Sequence, residues 1–206
     1  MEIIVLTDEC GKKELQTKKS LANYTVVNTF QQLREHKTAD ALLILTDKYA
    51  VSDLQQLPPI PVFIHLVNQT LYNLNLTDNF IRINAWPTFI QRDCWEVAGN
   101  EHLVKKVFET LGWKFTMVSD TPGMVAARIV AMIINEAYFA FGENVSTKED
   151  IDTAMKLGTN YPYGPFEWTS KIGLDNITSL LIELTKVDTL YKPAPALLDE
   201  FSKLNN

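Results

Sequence analysis

Every short apolar run of strand length in this chain lies before residue 119, and the apolar residues beyond it recur at helical spacing. That division constrains the fold most, because sheets and helices bury their apolar faces against different partners. Up to about residue 118, "IIVLT" (3–7), "YTVVN" (24–28), "ALLILT" (41–46), "PVFIHLV" (61–67) and "FIRINA" (80–85) are short and rich in β-branched residues. Between them, "FQQLREHK" and "VSDLQQL" carry Leu or Phe at helical spacing. Continuous apolar runs mark strands buried on both faces, so the alternation predicts a parallel sheet covered by helices. "NEHLVKKVFETLGW" (100–113) sets Leu103, Val107 and Leu111 four apart on one helix face, and "KFTMVS" follows as a last strand. The expectation is an α/β domain over residues 1–118 with five or six parallel strands.

From residue 119 to 206 the pattern predicts an all-α domain. "TPGMVAARIVAMIINEAYFAFGE" (121–143) has Pro122 near its start and Gly142 near its end, the usual punctuation of a helix. Apolar residues surround nearly the whole cylinder, including Val125, Ile129, Met132 and Ile133. Such a helix is buried in a bundle or against a second subunit. "STKEDIDTAMKLG" (146–158) offers Ser146 or Thr147 as its cap, Glu149 and Asp150 in the first turn, and Gly158 as its stop. "LDNITSLLIELTKV" (174–187) and "APALLDEFSKL" (194–204), the latter opened by Pro195, complete the helical set. The stretch "GTNYPYGPFEW" (158–168) reads as a packed turn, with Pro162, Gly164 and Pro165 steering the chain between aromatic rings.

Composition removes several function classes. With 46% hydrophobic and 21% charged residues in 206, the chain builds a full core. A net charge of −6 argues against a nucleic-acid surface, which needs concentrated Lys and Arg. Lys12, Lys13, Lys18 and Lys19 form a basic run beside Glu9 and Glu14 that reads as a solvated face. Cys10 and Cys94 make no disulfide framework, and His36, His65 and His102 belong to no metal-ligand spacing. No apolar run approaches the ~20 residues of a membrane span, and "MEIIVLTD" lacks a basic leader. A cytoplasmic location without metal or membrane is expected.

The segment "STKEDIDTAMKLGTNYPYGPFEWTSKIGLD" (146–175) closely resembles the C-terminal helical domain of the 3-hydroxyacyl-CoA dehydrogenases. "DTPGMVAARIVAMIINEA" (120–137) and "YKPAPALL" (191–198) are similar to that family's helix start and its Pro-x-Pro-x-Leu segment. "RINAWPTFIQRDCWEVAG" (82–99) looks like a worn version of the strand and loop carrying the family's catalytic His and Glu. The resemblance implies a shortened Rossmann-like domain followed by a helical dehydrogenase domain, acting as a homodimer. It implies oxidation of a 3-hydroxyacyl-CoA to the 3-oxoacyl form, with hydride passing to NAD, in fatty-acid metabolism.

Three departures bear on that chemistry. Matching the family's Glu to Glu96 puts Asn84 where the catalytic His belongs, and an amide takes no proton near neutral pH. On the long helix, Ala127 stands where the family places a substrate-binding Asn, although Arg128 follows as expected. "IIVLTDECGKKEL" offers Gly11 alone for a phosphate cradle, with Asp8 and Glu9 adding negative charge, and Asn28 replaces the ribose-binding acid. "VNQT" (67–70) resembles the family's Asn-Thr-Ser turn and nominates Thr70 as a hydroxyl near the substrate 3-oxygen. Two functions compete: a divergent dehydrogenase working through Glu96, Asn84 and Thr70, and a non-catalytic relative that binds acyl-CoA or serves as a dimeric scaffold.

Overall fold

The structure, a computed structural model, describes residues 1–204 and divides into two compact units, Met1–Met124 and Val125–Asn206. The first holds seven strands: β1 (Ile3–Leu6), β2 (Thr25–Val27), β3 (Ala41–Ile44), β4 (Val62–His65), β5 (Phe80–Ile83), β6 (Cys94–Ala98) and β7 (Lys114–Met117). They form one sheet in the order β2-β1-β3-β4-β5-β6-β7. Helices α1 (Glu9–Thr17), α2 (Phe30–Glu35), α3 (Val51–Leu54) and α4 (Glu101–Leu111) connect them.

Alternating side chains divide the sheet into two apolar layers. Val5, Leu43, Phe63 and Ile81 pack with Leu15 of α1 and with Val104, Val107 and Phe108 of α4. Ile4, Leu6, Leu42, Ile44 and Val62 pack on the opposite layer with Leu33 of α2 and Leu54 of α3. Burial on both faces explains why β1 and β3 read as unbroken apolar runs, and why β4 and β5 are interrupted only by His65 and Arg82. The first five strands run parallel in the doubly wound order 2-1-3-4-5, which reverses direction of winding between β1 and β3.

The sheet differs from the expected five or six parallel strands at its far side. β6 is an added strand, antiparallel to β5. No helix crosses between the two; residues 85–93 instead form a loop packed by Trp86, Phe89 and Ile90, so the chain returns in the opposite direction. α4 then provides a crossover, and β7 lies parallel to β6.

The second unit is all helical, with α5 (Ala126–Gly142), α6 (Lys148–Thr159), α7 (Pro165–Ile172), α8 (Leu174–Thr185) and α9 (Pro195–Leu204). α5 packs against α7, α8 and α9. It begins later than the sequence pattern indicates, because Gly123 and Met124 take positive φ values of 77° and 49° ahead of it. Thr147 is the cap of α6, its hydroxyl accepting from the Asp150 N–H at 3.2 Å. Gly158 does not stop that helix: it continues to Thr159 and ends where Asn160 turns left-handed at φ 55°. Val125, at the head of α5, and Ile129 within it are 48% and 54% exposed, beside the half-buried Met132 and Ile133.

Candidate functional site

The carboxyl ends of β1, β2 and β3 surround a cleft of about 380 Å³, lined in part by Thr7, Asp8, Asn28, Thr46 and Lys48. Doubly wound sheets receive ligands at this edge, beside the strand pair where winding reverses. α1 starts there, and a dinucleotide's pyrophosphate would need its free N–H groups. Asp8 already takes one: its Oδ1 accepts from the Gly11 N–H at 2.9 Å. The carboxylate also brings negative charge to the helix end that attracts anions. Gly11 is explained by packing, since a Cβ there would come within 2.2 Å of the Thr7 hydroxyl. At the end of β2, the Asn28 N–H donates to Gln32 Oε1 at 2.9 Å, and no acid is present to hold a ribose. These residues do not fit a dinucleotide's diphosphate.

Asn84 follows directly on β5 and is 5% exposed. Its Oδ1 accepts from the Trp86 N–H at 3.2 Å, which fixes the amide, and Nδ2 has no partner among the described residues. Glu96 is the third of five residues in β6 and is half-buried. The β5–β6 register pairs Arg82 with Ala98 and Ile83 with Val97, so the next step along it leads Asn84 towards Glu96. Arg92 feels the Glu96 charge: burial lowers the guanidinium pKa and Glu96 opposes that shift. Thr70 is buried, and its hydroxyl accepts from the Asn73 N–H at 3.0 Å, closing a turn. Asn84 thus directly follows β5 and Glu96 lies within the facing β6, while Thr70 belongs to the loop after β4.

Two neighbours at the same sheet edge carry no sequence motif. His65 ends β4 and is fully enclosed, and burial pushes its pKa down to about 4. Its Nδ1 accepts from the Ala85 N–H at 3.0 Å, so the neutral ring's lone pair is taken and it supplies no base in place of Asn84. Arg82 has no exposed surface, and its guanidinium donates to the Leu66 and Val67 carbonyls, the Thr121 carbonyl and Asp120 Oδ1. Burial lowers its pKa against the Asp120 contact, which favours the charge. Asp120 also accepts from the Leu71 and Tyr72 N–H groups. The Asp-Thr-Pro-Gly start therefore serves as a clamp on the loop after β4. A lone His in an apolar strand gave no signal of this edge, because its partner lies 20 residues away.

In the second unit the resemblance-bearing residues have structural partners. Asp152 on α6 accepts from the Phe166 N–H at 2.8 Å and the Glu167 N–H at 3.0 Å, capping α7 across the bundle. A Cβ on Gly164 would lie 2.4 Å from the Asp152 carboxyl carbon, so glycine is required there. Glu167 accepts from the Gly164 N–H at 3.0 Å and pairs with Lys156 at 2.5 Å. Phe166 packs edge-on to Tyr138 and Phe141 of α5, and Trp168 meets Tyr161 and Tyr163. Asn135 of α5 donates to the Lys192 carbonyl at 2.9 Å and accepts from the Ala194 N–H at 2.8 Å, fixing the Pro-rich segment. Ala127 is fully buried, and Arg128 lies 5.6 Å from the Tyr191 ring centre.

The first unit is thus a doubly wound α/β domain and the second a helical bundle. Residues 123–205 match the family described as 3-hydroxyacyl-CoA dehydrogenase, C-terminal domain. Among curated relatives, 3-hydroxyadipyl-CoA dehydrogenase of Escherichia coli is 52% identical over 67 residues, which are 32% of this chain and 14% of that protein. The human mitochondrial hydroxyacyl-coenzyme A dehydrogenase is 38% identical over 113 residues, 50% of this chain and 36% of that one. The chain spans between 14% and 36% of the lengths of these two relatives. In fold, (S)-3-hydroxybutyryl-CoA dehydrogenase from Ralstonia eutropha superposes with a TM-score of 0.75 at 20% identity, covering 98% of this chain and 93% of that one. The likeness to the 3-hydroxyacyl-CoA dehydrogenase family in sequence is carried by residues 123–205. Among the described residues, no helix is long and apolar enough to cross a membrane, and no group of three or more His, Cys, Asp or Glu is placed to hold a metal.

Proposed function

We propose that this chain is a non-catalytic relative of the 3-hydroxyacyl-CoA dehydrogenases, a cytoplasmic homodimer that retains acyl-CoA binding without hydride transfer to NAD. The observation that carries the reading is Asn84, an amide already engaged by the Trp86 N–H, at the position where the family's resemblance calls for a base. Asp8 in the diphosphate seat supports the same conclusion from the cofactor's side. Loss of a positioned base costs ~10²–10⁴-fold in rate, before the loss of cofactor affinity is counted. The exposed Val125, just before α5, and Ile129 on it supply the apolar contact for a second copy.

The test is oxidation of (S)-3-hydroxybutyryl-CoA with NAD by the native chain and by Asn84→His with Ala127→Asn. The native chain is expected to show no turnover. An ordinary rate of ~10 s⁻¹ in the native chain would sink the proposal. A second reading follows from Glu96, which lies on the strand facing Asn84: a slow dehydrogenase using Glu96 and a water. It requires native turnover that disappears in Glu96→Gln.

A further inference from the structure

Of the basic run at residues 12–19, Lys18 is not a solvated surface charge. Its ammonium lies 5.4 Å from the Trp95 ring centre and 5.5 Å from that of Trp113, and it donates to the Arg92 carbonyl. The two indoles stack at 5.5 Å with an angle of 11° between their planes. Burial lowers the Lys18 pKa, and Asp93 only partly offsets it. Among the described residues, Lys18 lies within ion-pair distance of no carboxylate. A half-buried cation whose neighbouring carboxylate only partly offsets its desolvation is favoured by a further anion bound beside it.

Lys18 also lines a cleft of about 380 Å³, together with Lys19, Lys114, Gln91, Asp93 and Trp113. Three lysines against one carboxylate make the lining cationic on a chain of net charge −6. Lys19 and Lys114 are exposed and free of ion pairs among the described residues. Lys18 is held in advance by two rings and a carbonyl, so little side-chain freedom is lost when an anion arrives. A polyanionic chain does not suit a small cleft on an acidic protein, because such binding needs an extended basic surface.

We propose that this cleft binds a phosphomonoester of a hydroxylated carbon skeleton, with the phosphate on the Lys18, Lys19 and Lys114 ammoniums and the hydroxyls on Asp93 and Gln91. Ammonium–phosphate hydrogen bonds are charge-assisted and supply the affinity; Asp93 and Gln91 supply the preference for a hydroxylated partner. The site is independent of the acyl-CoA reading and stands or falls without it.

The probe is ribose 5-phosphate, titrated at roughly 0.15 M salt, where unspecific surface attraction is screened beyond ~8 Å. Tryptophan fluorescence reports on the stacked indoles beneath Lys18, and calorimetry reports stoichiometry. Saturation at one site per chain is expected, with inorganic phosphate weaker and ribose silent. Lys19→Gln and Lys114→Gln, both at exposed positions, should each weaken binding roughly tenfold, and Lys18→Met, which keeps the stem over the indoles, should abolish it. Circular dichroism of each variant confirms that the fold is kept. Absence of saturation with ribose 5-phosphate overturns the proposal, as does equal binding by the exposed-lysine variants or by ribose alone.

Discussion

The heads of α1 and α7 both lie under an aspartate carboxylate, and the origin of that carboxylate separates the two helices. At the start of α7, Asp152 reaches across from α6 to accept from the Phe166 and Glu167 N–H groups, with Gly164 leaving it room. At the start of α1, Asp8 comes from the turn itself and takes the Gly11 N–H that a diphosphate would need. The first arrangement builds a bundle out of the residues that carry the family resemblance. The second closes an anion site in the unit where that resemblance is weak. A motif in the C-terminal unit therefore testifies to a way of packing helices, and dehydrogenase activity has to be argued from the other unit's residues.

Substitutions in the C-terminal unit should show how far its motif is structural. Gly164→Ala has the largest expected effect: its methyl group displaces Asp152, leaving two N–H groups at the head of α7 without an acceptor. A loss of about 4 kcal/mol is expected, read by chemical denaturation followed through Trp168. A variant as stable as the native chain would remove the structural reading of the motif.

Acid should separate the units in the opposite sense. His65 is neutral and fully buried with a pKa near 4, below its unfolded value of about 6.5. Between those values the unfolded chain binds more protons, so stability falls as the pH drops through that window. By pH ~4 the first unit should lose up to roughly 3 kcal/mol, seen as faster hydrogen exchange in β4 and β5 than in α5. His65→Gln should flatten that slope.

Asn135→Ala is next in size. It removes a donor and an acceptor that serve the Lys192 carbonyl and the Ala194 N–H, at a cost of about 2 kcal/mol. Hydrogen exchange confined to residues 191–198 would register the loss, and unchanged protection there would contradict it.

The smallest effect concerns Glu167, whose pKa is held below the ordinary carboxylate range by the Lys156 hydrogen bond and then by the Gly164 N–H. Its contribution is present at neutral pH and fades as pH falls through the lowered pKa. Because both partners are more than a third exposed, solvent screening keeps the effect small. The melting-temperature gap between native and Glu167→Gln should close on acidification and stay open at pH 7.

Much of the fold is legible in the sequence because the strands buried on both faces leave unbroken apolar runs. β6 is not, since "CWEVA" alternates exposed or half-buried Cys94 and Glu96 with buried Trp95 and Val97, and its reversed direction depends on a helix-free loop. α1 is hidden by its polar composition; only Gly11 and Leu15 of its nine residues are buried. Gly158 misleads because left-handed backbone is supplied two residues later by Asn160. Within the candidate site, the Asn84–Glu96 relation is legible only through the family resemblance, while the ring of His65 and the clamp of Arg82 depend on contacts between distant segments. Lys18 shows the same limit: its place on the two indoles follows from β6 and β7, not from its basic neighbours.

The most direct measurement is a titration of NADH into the native protein, followed by nicotinamide and tryptophan fluorescence with calorimetry alongside. With Asp8 closing the head of α1 and no acid at the end of β2, no saturable binding is expected up to about millimolar concentration, weaker than ~−4 kcal/mol. One molecule of NADH bound per chain with a dissociation constant of about micromolar, near −8 kcal/mol, would contradict the account at its centre.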